Sequence, residues 1–437
     1  MAKTYDTYKD SGIAWIGEIP GEWEVVRIKN KYSFQTGATP PTGNENYFDG
    51  DNIWVSIADM KEKVIADSKK KISNKGIEVC SMSIVPKGSL LYSFKLSVGN
   101  VAFAGDNLYT NEAIASFSPN TGYLPFLYYT AQLFIVFNSN TNIYGANILN
   151  QELIKNAFVP YPPLSVQQSI SSFLDTKCGE IDSLISIQEE MISELLAYKQ
   201  SVITEAVTKG LDKKAKMKNS GVEWIGDIPE EWEIKPYKAI FYTEKGLNIT
   251  KADLVEKGEP VLSYGQIHSK MNTGTKINDA LLKYVPSSYI ETNPECLVQK
   301  GCFLIADTSE DYDGCGNAIY VDKDMTLFAG YHTIVARPIH NNGDYKYLAY
   351  LFLTDIWRQQ IRSRVSGIKV YSINQKIIRL TSVLLPPLPV QQAIATYLDE
   401  KTTQIDSLIA LKQSKIESLK EYKKSIIYEY VTGKKRV

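Results

Sequence analysis

A helical segment is written twice in this chain, once in the middle and once at the end. The first copy, Pro162 to Thr208, reads PPLSVQQSISSFLDTKCGEIDSLISIQEEMISELLAYKQSVITEAVT, and the second, Pro386 to Thr432, reads PPLPVQQAIATYLDEKTTQIDSLIALKQSKIESLKEYKKSIIYEYVT. They align without a gap: Asp182 answers to Asp406, Tyr198 to Tyr422 and Glu205 to Glu429, each 224 positions on. An internal repeat of this length constrains every other reading of the chain.

Within each copy the apolar residues recur at steps of three and four. Ile181, Ile185, Ile192, Leu195, Val202 and Ala206 are matched by Ile405, Ile409, Ile416, Leu419, Ile426 and Tyr430. This is the stripe of an amphipathic helix, close to a heptad seam. Pro163 and Pro387 precede each helix, where a missing N–H does no harm, and Gly210 and Gly433 stand just past its end. From Val166 to Thr208 such a helix is roughly 60 Å long, unless Asp175–Gly179 breaks it into a short helix and a long one. A rod of this kind cannot bury its stripe alone. Either each stripe packs on its own globular half, or the two copies pack on each other, antiparallel, as a spine; the near-identity of the two stripes favours the spine.

A shorter repeat fixes the other end of the unit. Residues 10 to 25, DSGIAWIGEIPGEWEV, return at 219 to 234 as NSGVEWIGDIPEEWEI, so Trp15 and Trp23 answer to Trp224 and Trp232 at an offset of 209. The expected organisation is two tandem α+β units related by a pseudo-twofold axis, as in an isologous dimer. Residues 1–160 form a first body with its Trp-rich lead at 9–27, and 161–210 the first long helix. Residues 211–384 form a second body with its lead at 218–234, and 385–437 the second helix. The tryptophans are expected to staple each lead to its body. The second body carries 15 extra residues, the difference between the offsets of 224 and 209.

The bodies differ in sequence but share a rhythm of short strands and polar turns. In the first, Gly37–Asp51 is rich in Gly, Pro and Asn and reads as a long ordered loop; a helix is expected at Leu124–Asn138. In the second, strands flank the acidic Asp307–Gly316 loop, and a helix is expected over Tyr345–Val365 before the Gly367–Ser372 turn.

Several classes of chemistry are excluded. No G-x-x-x-x-G-K-[ST] loop is present. Gly314 and Gly316 lack the third glycine and helix of a dinucleotide site. Tyr161–Pro163 has only a superficial likeness to the amino-methyltransferase motif, lacking its leading Asn or Asp, and Asp311 and Asp313 lack the lysine of a nuclease. Five cysteines without a C-x-x-C pair, beside three histidines, indicate neither zinc nor a disulfide framework. No metal and no catalytic constellation is expected. The N-terminus lacks a signal-peptide core and the longest apolar run, Phe126–Phe137, is too short to span a bilayer, so a cytoplasmic protein without a membrane partner is expected.

The doubled leads YKDSGIAWIGEIPGEWEV and KNSGVEWIGDIPEEWEI, the G-x-T-P loop with Tyr47–Gly50 and IWVS after it, and the P-P-L-x-V-Q-Q…I-x-x-x-L-D…I-D-x-L-I helices resemble the DNA-specificity subunit of type I restriction–modification systems. The likeness spans nearly the whole chain; Val166 and Val390 depart from the glutamate that the family often places before the Gln. It implies two target-recognition domains, each reading half of a split double-stranded DNA site. It further implies an antiparallel helix pair that sets the spacer and docks two modification subunits, with restriction (translocase) subunits joining them. S-adenosylmethionine, ATP and Mg belong to those partners, and this chain is expected to be non-catalytic. The competing classes are an adaptor that binds protein partners through its helix pair, and an enzyme of unknown type.

Carried onto this sequence, the resemblance makes Thr39, Thr42, Asn44, Asn46, Ser93, Lys95 and Asn111 candidates for DNA contact in the first body. In the second they are Tyr264, Gln266, Thr308, Tyr312, His332 and Lys369. Such side chains read base edges or position phosphates; equally, Asn and Thr in turns often satisfy only their own loop.

The net charge of −1 shapes the first expectation. The Lys69–Lys71, Lys213–Lys218 and Lys434–Arg436 clusters offer few cations to release counterions from DNA. The purified chain should therefore bind DNA weakly and gain tight binding only with partner subunits, as titration by fluorescence anisotropy would show. Tight, sequence-specific binding by the chain alone at physiological salt contradicts this.

Overall fold

The computed structural model describes residues 4–95, 97–141, 147–222, 225–340, 345–367 and 369–437. Two compact units emerge, one formed by Met1–Gln188 with Ser414–Val437 and the other by Glu189–Gln413. Each unit thus takes the start of one long helix and the end of the other.

Both repeats are realised as a closure of each body. In the first unit the lead forms a hairpin, Tyr8–Asp10 with Glu18–Pro20, and then strand Glu24–Arg27, which pairs antiparallel with Phe158–Tyr161. In the second unit Met217–Asn219 pairs with Asp227–Pro229, and Glu233–Pro236 with Ser382–Leu385. Val25 faces Pro160 and Ile234 faces Leu384, so the register is the same once the two offsets are applied. Pro160 is tolerated because these two-stranded ladders leave each strand with an open edge. The extra residues of the second body fall between the paired strands and leave the closure unchanged.

Between these strands each body holds two sheets. The first has a five-stranded sheet whose central pair is Leu90–Ser93 against Ile114–Phe117, and a three-stranded sheet around Asn52–Val55. The second has a four-stranded sheet centred on Phe303–Ala306 against Thr333–Pro338, and a three-stranded sheet around Glu259–Leu262. Trp23 and Trp232 are buried in the cores of their units, and Trp15 stacks on Phe137 with ring centroids 5.7 Å apart. Trp224 lies outside the described residues. The expected helix at Leu124–Asn138 is α-helical over Leu124–Phe134 and tightens to a 3-10 turn over Ile135–Asn138. The expected Tyr345–Val365 helix is instead two, Lys346–Phe352 and Asp355–Arg362. Thr354 between them is extended, and its hydroxyl donates to the Leu351 carbonyl at 2.6 Å, which ends the first helix.

The repeated segments are continuous helices, Leu164–Lys209 and Leu388–Val431. The alternative break at Asp175–Gly179 does not occur. The V-Q-Q step explains how they start: Gln167 and Gln391 each donate a side-chain N–H to the carbonyl of Pro162 and Pro386 at 2.8 Å. Gly210 and Gly433 end them in the left-handed region, at φ 77° and 72°, the conformation that closes a helix and suits glycine.

In both units the helices run antiparallel to one another. Lys199 pairs with Asp406 in the second unit and Lys423 with Asp182 in the first, both at 2.7 Å. These are the same pair, since each residue of one lies 224 positions from its counterpart in the other. The stripe residues Ile181, Val202, Ile405, Ile409, Ile416 and Ile426 are buried, and Ile185, Ile192, Leu195 and Leu419 half-buried. Each body rests on the start of one helix and the end of the other: Ile170, Leu174, Ile426 and Val431 join the first core, and Ile394, Leu398, Val202 and Val207 the second.

The stripe should outweigh the ion pairs. The partners of Lys199–Asp406 keep 23% and 50% of their side-chain exposure, which limits a double-mutant coupling to about 1 kcal/mol or less. Ile416→Ala, at a buried seam position, should cost roughly 2–5 kcal/mol. Denaturant melts of the three ion-pair variants and of Ile416→Ala would rank them.

Candidate nucleic-acid interface

In the first body the loop after strand Phe34–Thr36 is drawn onto the segment before Ile114–Phe117. Ala38 N–H donates to the Thr110 carbonyl at 3.0 Å and the Trp54 indole to the Ala38 carbonyl at 3.1 Å. A Cβ on Gly37 would stand 1.7 Å from the Thr110 oxygen, so the first residue of G-x-T-P has to be glycine for this approach. The approach delivers the Thr39 hydroxyl to the Glu112 carboxylate, which Lys95 also meets at 4.0 Å. The Thr39 bond, aided by Lys95, holds the Glu112 carboxyl below its usual range. Lys95 and Glu112 both stay about half exposed.

Two of the candidates, Thr39 and Lys95, are thus brought together by a residue that the sequence reading missed, Glu112. Others serve their own turns: Asn44 accepts from the Asn46 N–H, Asn46 supplies a carbonyl to Ser73, and Asn111 caps the Ala113 N–H. Thr42 is exposed in the same loop. Ser93 is fully buried, its hydroxyl donating to the Ser97 carbonyl, so its place in the central strand removes it from a surface contact.

The second body repeats the arrangement with other chemistry. Gly246 approaches Gly330 and Thr333 so closely that a Cβ would lie 2.2 Å from either oxygen, and Leu247 N–H donates to the Ala329 carbonyl at 2.9 Å. Gly246 is 209 positions beyond Gly37, so the lead offset, carried further, would have found this loop. At the ends of the central strands His332 and Asp307 meet at 3.0 Å. His332 sits at φ 56°, a conformation rare for residues other than glycine and concentrated at functional sites. Tyr264 packs on His332 and Tyr331, centroids 5.5 and 5.7 Å away. His268 accepts from Asn317 through Nδ1 at 3.1 Å and so donates from Nε2 to the Thr308 carbonyl at 2.8 Å.

Tyr264, Thr308 and His332 therefore belong to one cluster. Gln266 is engaged in a capping box, accepting from the Ser263 N–H. Tyr312 packs on Tyr371 at 5.6 Å, on the strand whose Ser372 pairs with Thr308, and Lys369 is exposed and joins none of these groups among the described residues. Both bodies thus carry an acid beside a base where the central strands end. The order is reversed: the base follows the first strand in one body, the acid in the other.

The long helices present a second kind of surface. In the first unit Leu184, Ile187 and Tyr422 are exposed, at 47%, 45% and 56%; in the second their counterparts Leu408, Leu411 and Tyr198 are exposed likewise. Apolar side chains are thus exposed at equivalent helix positions in both units.

The model of the type I restriction modification DNA specificity domain matches residues 20–196 and again 229–421. The chain belongs to this specificity family. It is a specificity chain and non-catalytic. The MjaVIII specificity subunit of Methanocaldococcus jannaschii is 24% identical over 424 residues, 96% of this chain and 94% of that one. The MjaX specificity subunit of the same organism, designated putative, is 25% identical over 455 residues, 97% and 96% of the two chains. A solved chain described under "Structural basis underlying complex assembly and conformational transition of the type I R-M system" shares the fold, with TM-score 0.69 and 16% identity over 94% of this chain and 98% of that one. Among the described residues no helix is long and apolar enough to cross a membrane.

For this specificity chain, Gly37→Ala should release Ala38 and Thr39 from the strand end while leaving the second body intact. Hydrogen exchange should show lost protection at the Ala38 amide and unchanged protection at Leu247, and Gly246→Ala the converse.

Proposed function

We propose that the chain is the sequence-reading and scaffold subunit of a type I restriction–modification complex, each body reading one half of a split double-stranded DNA site. What supports this most is the closure of two dissimilar bodies by one repeated frame, with different polar groups at the same strand ends. An acid beside a base suits a G·C pair, the carboxylate accepting from cytosine N4 and the base donating to guanine. Lys95 with Glu112 would serve one half-site, and His332 with Asp307 the other. Thr39, Thr42, Tyr264 and Lys369 would add contacts to bases or phosphates.

The two equivalent apolar sets on the helices support docking of two copies of one partner, the modification subunit, with the helix pair fixing the spacer between half-sites. S-adenosylmethionine is assigned to those subunits, ATP and Mg to restriction subunits that join them, and the complex to the cytoplasm.

Replacing residues 30–158 with the corresponding body of a relative should change one half of the methylated site and leave the other half unchanged. Single-molecule sequencing of DNA methylated by the assembled complex reads this directly. A change in both halves, or in neither, contradicts the two-reader function.

A further inference from the structure

Asp175 and Asp399 occupy the same place in the two long helices, 224 residues apart, in the Leu-Asp step of the repeat. In the first unit the Asp175 carboxylate accepts from the Tyr129 hydroxyl at 2.5 Å and from the Lys63 ammonium at 2.6 Å. In the second, Asp399 accepts from the Tyr350 hydroxyl at 2.6 Å and pairs with Lys346 at 2.6 Å. Both tyrosines come from a helix of the body, Leu124–Phe134 and Lys346–Phe352. The lysines come from unrelated places: Lys63 precedes strand Val64–Ile65, whereas Lys346 opens the helix that carries Tyr350. Two bodies of different sequence therefore arrive at one arrangement, a tyrosine and a lysine closed on a carboxylate of the long helix.

Much of what joins each body to its helix is apolar, through Ile170 and Leu174 in one unit and Ile394 and Leu398 in the other. Apolar burial has no preferred direction, so a smooth contact permits small rotations of the body about the helix. Charge-assisted hydrogen bonds to a carboxylate are directional. Lys63 gains a further constraint from the Tyr128 and Tyr129 rings, 5.2 and 5.9 Å away.

We propose that Asp175 and Asp399, each clamped by a Tyr–Lys pair from the body it carries, are positioning residues that fix the attitude of each recognition body on its helix. They would thereby set how strictly the complex demands one spacer length. This inference rests on the split-site reading above.

The test uses the full complex with its modification subunits and a DNA library in which both half-sites are fixed and the spacer varies. The unaltered complex should methylate one spacer length. Tyr129→Phe and Asp175→Asn, and Tyr350→Phe and Asp399→Asn in the second unit, should raise methylation of spacers one base pair longer or shorter by roughly tenfold, the effect of losing one hydrogen bond to a charged group. The bases read within each half-site should not change. Melting temperature is recorded in parallel, because a merely structural role would lower it without widening the spacer profile. If Asp175→Asn fails to fold, Tyr129→Phe, which deletes a single oxygen, and Lys63→Met carry the test. An unchanged profile in the folded variants overturns the proposal, whatever their melting temperatures. If the unaltered complex itself shows no spacer preference, the split-site reading fails first, and that outcome is visible without any variant.

Discussion

Each unit depends on covering the apolar stripe of a helix that has no globular partner of its own along much of its length. In both units the other copy of the same helix runs alongside it, and the body covers the stripe where Ile181, Ile426 and Val202 join its core. Because the copies match without a gap at the positions that meet, Lys199–Asp406 and Lys423–Asp182 are a single interaction realised in two places. The exposed ion pairs add little to stability. Their position marks the register that the isoleucines Ile405, Ile409, Ile416 and Ile426 impose from within. Each of those buried side chains contributes roughly 1.5–3 kcal/mol through its burial.

On this frame the bodies are free to differ. The lead strand and the strand before each helix pair with a fixed register in both units, so what lies between them can be lengthened or rewritten without disturbing the closure. The strand ends are where the rewriting shows. One body presents Lys95 and Glu112 and the other His332 and Asp307, on central strand pairs of the same antiparallel topology. A reader whose chemistry sits in loops, on strands whose pairing is held elsewhere, can change what it recognises without changing its fold.

The same logic explains why some polar residues in the loops do not face outward. Asn44, Asn111 and Gln266 satisfy backbone N–H groups of their own turns, since a loop held tightly against a sheet leaves donors that no ladder meets. The carboxylates Glu112 and Asp307, which a search for DNA-binding residues passes over in favour of cations and amides, are held instead beside a base.

The sequence by itself determined the duplication, the two helices with their seam and ends, the α+β character of the bodies and the family. All of these rest on local periodicity, on Pro and Gly at helix ends and on matches between distant segments, which are visible without coordinates. The tertiary structure decided which side chains share a site, because Thr39, Lys95 and Glu112, or Tyr264, Asp307 and His332, become neighbours only when strands far apart in sequence pair. It also decided that Thr354 divides a helix the pattern left whole, that Ser93 is buried, and that Asp175 and Asp399 are clamped by their bodies. Each of these follows from long-range packing, and a one-dimensional pattern carries no record of which distant side chain will arrive.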